Sequence, residues 1–243
     1  MPLMKIDRIS SPAAFAAFSK KGNRMKKLQL LAISAALCAG SAFAAPEAEI
    51  AKIFTQDVIG AKVSQLEKIA GKPGATDKKA GTQRYKVGAC EVTAYVQGGK
   101  TASLEMATSP QCTFDLAQIF DSAPQGTLVH ELNYGTAYKE LGEGRFTADC
   151  LGECSGTPSV YMTWEGPHSD NFLQLRLQTE LRDKNAKTAA DAWARYVRGK
   201  ESTEYLEAKR FNTDATYDEI AALALSGITI TRIRVGHGIV KEN

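Results

Sequence analysis

Cysteine and histidine are the residues here whose types and spacing could do chemistry. Cys150 and Cys154 stand with three residues between them, beside Asp149 and among glycines. Such a pair can be half a zinc site, a redox couple or a covalent staple. A structural zinc site needs a second Cys/His pair at ligand spacing, and none follows; His130 and His168 are single residues far apart. A thioredoxin-like redox pair wants two intervening residues and a helix start after the first cysteine. Here the second cysteine runs into Ser155-Gly156-Thr157-Pro158, a turn sequence. The staple is the expectation. With Cys90 and Cys112 it makes an even set of four, which permits three connectivities. Proximity in sequence favours Cys90–Cys112 and Cys150–Cys154, and no metal is expected.

The histidines are His130, His168 and His237, in three different predicted elements. No Gly-x-Ser-x-Gly elbow, His-Glu-x-x-His helix or phosphate loop occurs, so no catalytic residue and no cofactor are assigned. Asp214, Asp218 and Glu219 gather at a helix start, where carboxylates complement the dipole. The most site-like stretch is Trp164-Glu165-Gly166-Pro167-His168-Ser169-Asp170-Asn171, which joins two predicted strands. Loops expose polar tips and carry function more often than cores do. Trp164, His168 and Asp170 are therefore the candidate binding residues. The competing expectations are an ordinary hairpin loop with Trp164 in the core, and an envelope hydrolase using His168 and Asp170.

The compartment bears on the cysteines. From Met25, Lys26 and Lys27 precede the apolar run Leu28 to Leu37, and Ala42-Phe43-Ala44 supplies the small residues read by a signal peptidase. That three-part layout predicts a cleaved export signal over residues 1–44, with Met25 a second possible start. The run is about half the 20 apolar residues of a membrane span. Leu37 sits where a lipoprotein signal carries a small residue before its cysteine, so no lipid anchor is expected at Cys38. Of 30 bases and 27 acids, residues 1–44 hold seven and one, leaving 23 and 26 in the remainder. That remainder is slightly acidic with its bases interspersed, which argues against a nucleic-acid partner. A periplasmic or secreted protein with two disulfides follows.

These residues need elements to position them. Glu47 to Gln56 has apolar residues at helical spacing. Ser64 and Glu67 form a capping-box pattern for a helix ending at Gly71, before Pro73-Gly74. Strands are expected at Thr82–Val87, Cys90–Val96 and Thr101–Met106, with a Gly98-Gly99 hairpin turn. Ser64, Leu66, Glu67, Gly71, Pro73, the alternating strand after Cys90 and the Gly98-Gly99-Lys100 turn resemble the helix-helix-three-strand module of the BamE/SmpA outer-membrane assembly proteins. Secreted β-lactamase-inhibitor proteins have a related layout. The resemblance covers about 60 residues, roughly 47–112. It implies a module used for binding, and with it an envelope protein as the partner.

Beyond the breaker cluster Ser122 to Gly126, strands are expected at Arg145–Cys150, Ser159–Trp164, Asn171–Leu181 and Ile228–Val235. Helices are expected from Thr188 to Gly199, over Glu204–Lys209 and from the Thr216/Glu219 capping box to Leu225. Tyr134 to Ala137 is read as a turn. Strands, then helices, then a closing strand predict an α+β fold with antiparallel pairing. The expected domains are 45–121, the small module, and 122–243, a second α+β domain. The functional expectation is an exported, non-enzymatic protein-binding or envelope accessory module.

Overall fold

The computed structural model describes residues 46–151, 156–207 and 210–239. The expected signal segment 1–44 and Cys154 lie outside the described residues. The fold is α+β: one eight-stranded antiparallel sheet with helices on one side. The chain runs α1 (Pro46–Ile53), α2 (Val63–Ala70), β1 (Ala75–Asp77), β2 (Thr82–Val87), β3 (Cys90–Gln97) and β4 (Lys100–Ala107). It continues with α3 (Tyr134–Leu141), β5 (Arg145–Ala148), β6 (Ser159–Glu165) and β7 (Gln174–Glu180). It ends with α4 (Lys184–Arg198), α5 (Thr203–Glu207), α6 (Asp218–Leu225) and β8 (Arg232–Gly236).

The strand order is β1-β2-β3-β4-β8-β7-β6-β5. The first half is a four-strand meander introduced by two helices. The second is a meander introduced by α3, with α4 to α6 inserted before its last strand. The two last strands, β4 and β8, pair with each other, so the halves are related by an approximate two-fold in connectivity. The segments expected as separate domains thus contribute to one sheet. At their junction Gly236 lies opposite Ser103 with φ of 152°, and a Cβ there would sit 2.3 Å from the Ala102 carbonyl oxygen. Only glycine lets the backbones approach this closely.

Alternation puts one side of every long strand into the core. Val92, Ala94, Leu104, Met106, Ile233, Val235, Leu175, Leu177, Met162 and Phe146 are all fully or almost fully buried. Ile50, Ile53 and Leu66 of α1 and α2 join the same apolar cluster, as do Trp193 and Val197 of α4 and Ala221 and Leu225 of α6. Trp193 is fully buried, with its ring edge-on to Phe211 at 4.8 Å. Gly98 and Gly99 both have positive φ (57° and 74°), which the tight β3–β4 hairpin requires.

Helix starts depart from the expected boxes. α2 begins at Val63 with no side-chain cap, so Ser64 lies inside the first turn. α4 starts four residues before Thr188: Asp183 accepts from the Asn185 and Ala186 N–H groups at 2.8 and 3.1 Å. Thr188 is within the helix and donates to the Lys184 carbonyl. The stretch read as a turn at Tyr134 is α3, capped by Asn133 accepting from the Thr136 N–H at 2.7 Å. Cys90 and Cys112 form a disulfide with Cα atoms 5.6 Å apart, as expected. Cys150 is also disulfide-bonded. Its expected partner is outside the described residues. Among the described residues no helix is long and apolar enough to cross a membrane.

Candidate functional site

The loop that the sequence singles out is a brace. Trp164 follows Val160 and Met162 on the core side of β6 and packs edge-on against Phe120, with ring centroids 5.1 Å apart. Asp170 closes a 3₁₀ turn over His168–Asp170 and is fully buried, which corrects the expectation of an exposed polar tip. Its two carboxylate oxygens accept from the Asp121 N–H at 2.8 Å and the Ser122 hydroxyl at 2.5 Å. Asn171 donates through its side chain to Gln56, and Gln56 in turn to the Ile119 carbonyl. The loop therefore ties the second half of the chain to the first. The turn is tight enough to hold Asn171 and Phe172 at φ of 54° and 53°. Such values carry a backbone cost for Phe172, which the brace maintains. Of the three expected binding residues only His168 is exposed; its ring meets Phe172 edge-on at 5.4 Å. The structure does not bring His168 and Asp170 together as an acid–base pair, because both oxygens of Asp170 face the 121–122 segment.

The acid cluster at α6 also acts structurally. Asp218 accepts from the Phe146 N–H at 2.9 Å and from Asn212 at 2.7 Å, joining the helix start to β5. Burial raises its pKa above the usual carboxylate value, partly offset by these hydrogen bonds. Asp214 instead accepts from the Tyr205 hydroxyl at 3.0 Å. A cleft of about 350 Å³ lies between the end of β7, the start of α4 and residues 227–231, lined by Thr179, Glu180, Asp183 and Thr231 among others. Asp183 is already committed there to capping α4. Among the described residues no group of three His, Cys, Asp or Glu side chains could hold a metal ion.

The side chains with most chemical character lie on the other face of the sheet. The helices bury their apolar residues on the core face, and the alternate positions of the strands point away from it. Register fixes a row across seven strands: Arg84, Thr93, Glu105, Arg234, Arg176, Thr163 and Arg145. Consecutive strands are about 4.8 Å apart, so the row spans roughly 29 Å. A parallel row sets Arg232 beside Gln178 and Tyr161.

Named contacts hold these groups. Arg234, only 5% exposed, lies over the Tyr95 ring at 3.4 Å and donates through Nε to Ser103 Oγ at 2.8 Å. Glu105 accepts from Arg232 and from the Tyr95 hydroxyl, both at 3.1 Å. Tyr161 is flanked by two guanidiniums, Arg176 at 5.7 Å and Arg210 at 5.8 Å from its ring centroid. Its hydroxyl donates to Asp149, and burial together with that carboxylate raises its pKa. Arg176 also donates to the Ile239 carbonyl. Planar guanidinium–ring contacts fix the orientation of both partners.

Sequence reasoning had these residues in view as strand positions, and missed them as a site. The signal was present in β8, where Arg232 and Arg234 alternate with Ile233 and Val235. Their convergence with Arg176 and Tyr161 depends on β7 pairing with β8 across an insertion of three helices. Compared with protein-family models, curated proteins and solved structures, the chain matches none.

Proposed function

We propose that this is an exported binding module of the cell envelope that engages a partner protein across the polar face of its sheet. The observation that carries the reading is the division of one eight-stranded sheet into a helix-covered face and a face of ordered arginines and tyrosines. Arg and Tyr suit recognition because each presents a flat apolar surface together with hydrogen-bonding groups. A face held by rings and hydrogen bonds also loses little side-chain freedom on binding. The Cys90–Cys112 disulfide is of the kind that persists in oxidising compartments, which supports export. Residues 46–107 run helix, helix and then strands, the order that the resemblance to the BamE-type module implies, with β1 as a strand beyond its three.

Site-directed photocrosslinking in the envelope tests this reading. A photoreactive residue at Thr93 or Thr163, on the polar face, should give a defined protein adduct. The same residue at Leu223 on α6, which is 75% exposed, should not. Adducts from Leu223 alone would move the interface to the helical side and overturn the proposal.

A further inference from the structure

We infer that residues His237–Ile239, the segment after β8, form a strap on the polar face that a partner displaces in order to bind there. This rests on the sheet-face reading and names a control on that same site. Three observations carry it. First, the chain leaves the sheet at this point. Gly236 is the last residue of β8, the His237 N–H still donates to the Ala102 carbonyl at 2.9 Å, and Gly238 then bends the chain with φ of 72°. Second, the segment is anchored on the polar face: Arg176, which register places between Arg234 and Thr163, donates to the Ile239 carbonyl. Third, Ile239 is fully buried, yet among the described residues it is the one buried apolar side chain outside the main core cluster. Its release therefore opens no cavity in the core beneath the helices.

Such a strap opens more easily than the strands beneath it. Among the described residues the hydrogen bonds that hold it are the one from His237 to Ala102 and the one from Arg176 to Ile239. Segments held by few contacts open at lower free energy than the sheet that carries them. Position decides what opening does. Arg176 on β7 is directly opposite Thr163 on β6, whereas Thr93 on β3 lies three strands away, roughly 14 Å. The closed strap thus covers the β7 part of the face and leaves the β3 part open. A partner that needs the β7 part binds the open form, and its apparent affinity falls with the fraction of molecules that are open.

The test has two arms. In the purified protein, amide hydrogen exchange followed by NMR reads the strap without any partner. Ile239→Ser and Arg176→Gln should each speed exchange of the His237 N–H by about tenfold or more. Exchange at Ile233 and Val235, inside β8, should stay unchanged, which also shows that the sheet is intact. The two variants act on different contacts, so one suffices should the other fail to fold. Unchanged exchange at His237 would overturn the strap. In the envelope, a photoreactive residue at Thr163 should give about threefold more partner adduct in the Ile239→Ser background, with little change at Thr93. Equal or lower yield at Thr163, or an equal rise at both positions, would overturn the inference and leave the sheet-face reading standing. Absence of adducts at both positions in both backgrounds would refute the sheet-face reading and the inference with it.

Discussion

Asp170→Ala should destabilise the protein even though it changes a loop residue. The carboxylate is fully buried and holds two donors from a segment about 50 residues earlier, the Asp121 N–H and the Ser122 hydroxyl. A hydrogen bond to a carboxylate contributes about 1.5–3 kcal/mol to stability. Asp121 and Ser122 are themselves exposed, so water can partly satisfy them after the substitution. The expected loss is therefore about 2–4 kcal/mol rather than the full sum. For a chain of this size each kcal/mol shifts Tm by about 2–4 °C, giving a fall of roughly 4–16 °C.

Urea denaturation of the wild type, Asp170→Ala, Ser122→Ala and the double variant would measure it. The double variant isolates the Ser122 hydroxyl's share, with a coupling of about 1 kcal/mol expected for this contacting pair. His168→Ala, at an exposed position one turn away, should change stability by less than about 0.5 kcal/mol. If Asp170→Ala unfolds at the same urea concentration as the wild type, the brace is not structural and a surface role for Asp170 returns.

Three further outcomes follow from the same physics. Gly236→Ala should cost more than about 3 kcal/mol or block folding, because its Cβ would meet Ala102 and Ser103 at 2.3–2.4 Å; a wild-type Tm would contradict the close β4–β8 approach. Replacing both Cys90 and Cys112 with alanine should lower stability by about 3 kcal/mol for a separation of 22 residues, read from the shift in the urea midpoint. On the alkaline side, the Tyr85 phenol is pushed up to about 12 by burial and then Glu67, and the Tyr217 phenol to about 12 by its hydrogen bond to Glu201 and then burial. Both favour the neutral ring in the folded state, so their contribution is complete below the ordinary value of 10.0 and is lost as pH rises towards 12. Phenolate absorbance should show these groups titrating late in the folded protein, and Tm should fall through that window; ionisation of all tyrosines together near the ordinary value would contradict it.

Strands were the most legible part of the chain, because period-two alternation survives wherever one face is packed. Leu173 to Thr179 shows it, although β7 starts at Gln174 because the preceding turn occupies Asn171 and Phe172. Helix starts were less legible. Thr188 and the Ser64/Glu67 box both read as helix starts, yet both helices start earlier: α4 has a better cap at Asp183, and α2 begins at Val63 with no side-chain cap. α3 was hidden by Gly135, whose helical position is set by contact with Ser226 rather than by propensity. Tyr134, Ala137, Tyr138 and Leu141 nevertheless carry a helical stripe behind an Asn133 cap. The 164–171 loop was found, but the burial of Asp170 was not. Nothing local to Asp170 announces that Asp121 and Ser122 come to meet it. The arginine face was invisible for the same reason, being assembled from β8 and strands remote in sequence.

The way the halves join also bears on how a partner can be met. Pairing β4 with β8 consumes the two strands that would otherwise be long free edges, with eight and five residues respectively. The remaining edges are poor templates for another chain. β1 has three residues, all exposed, and β5 has four, with Phe211 bridging to Ala148 along its outer side. Short or covered edges oppose strand addition. Recognition by extending the sheet is therefore disfavoured, and the broad polar surface created by the same pairing is what the fold offers instead. The β4–β8 junction thus leaves only short or covered edges and makes the polar face continuous across the sheet. Gly236 permits the close approach, and two residues before it Arg234 lies over Tyr95 and donates to Ser103.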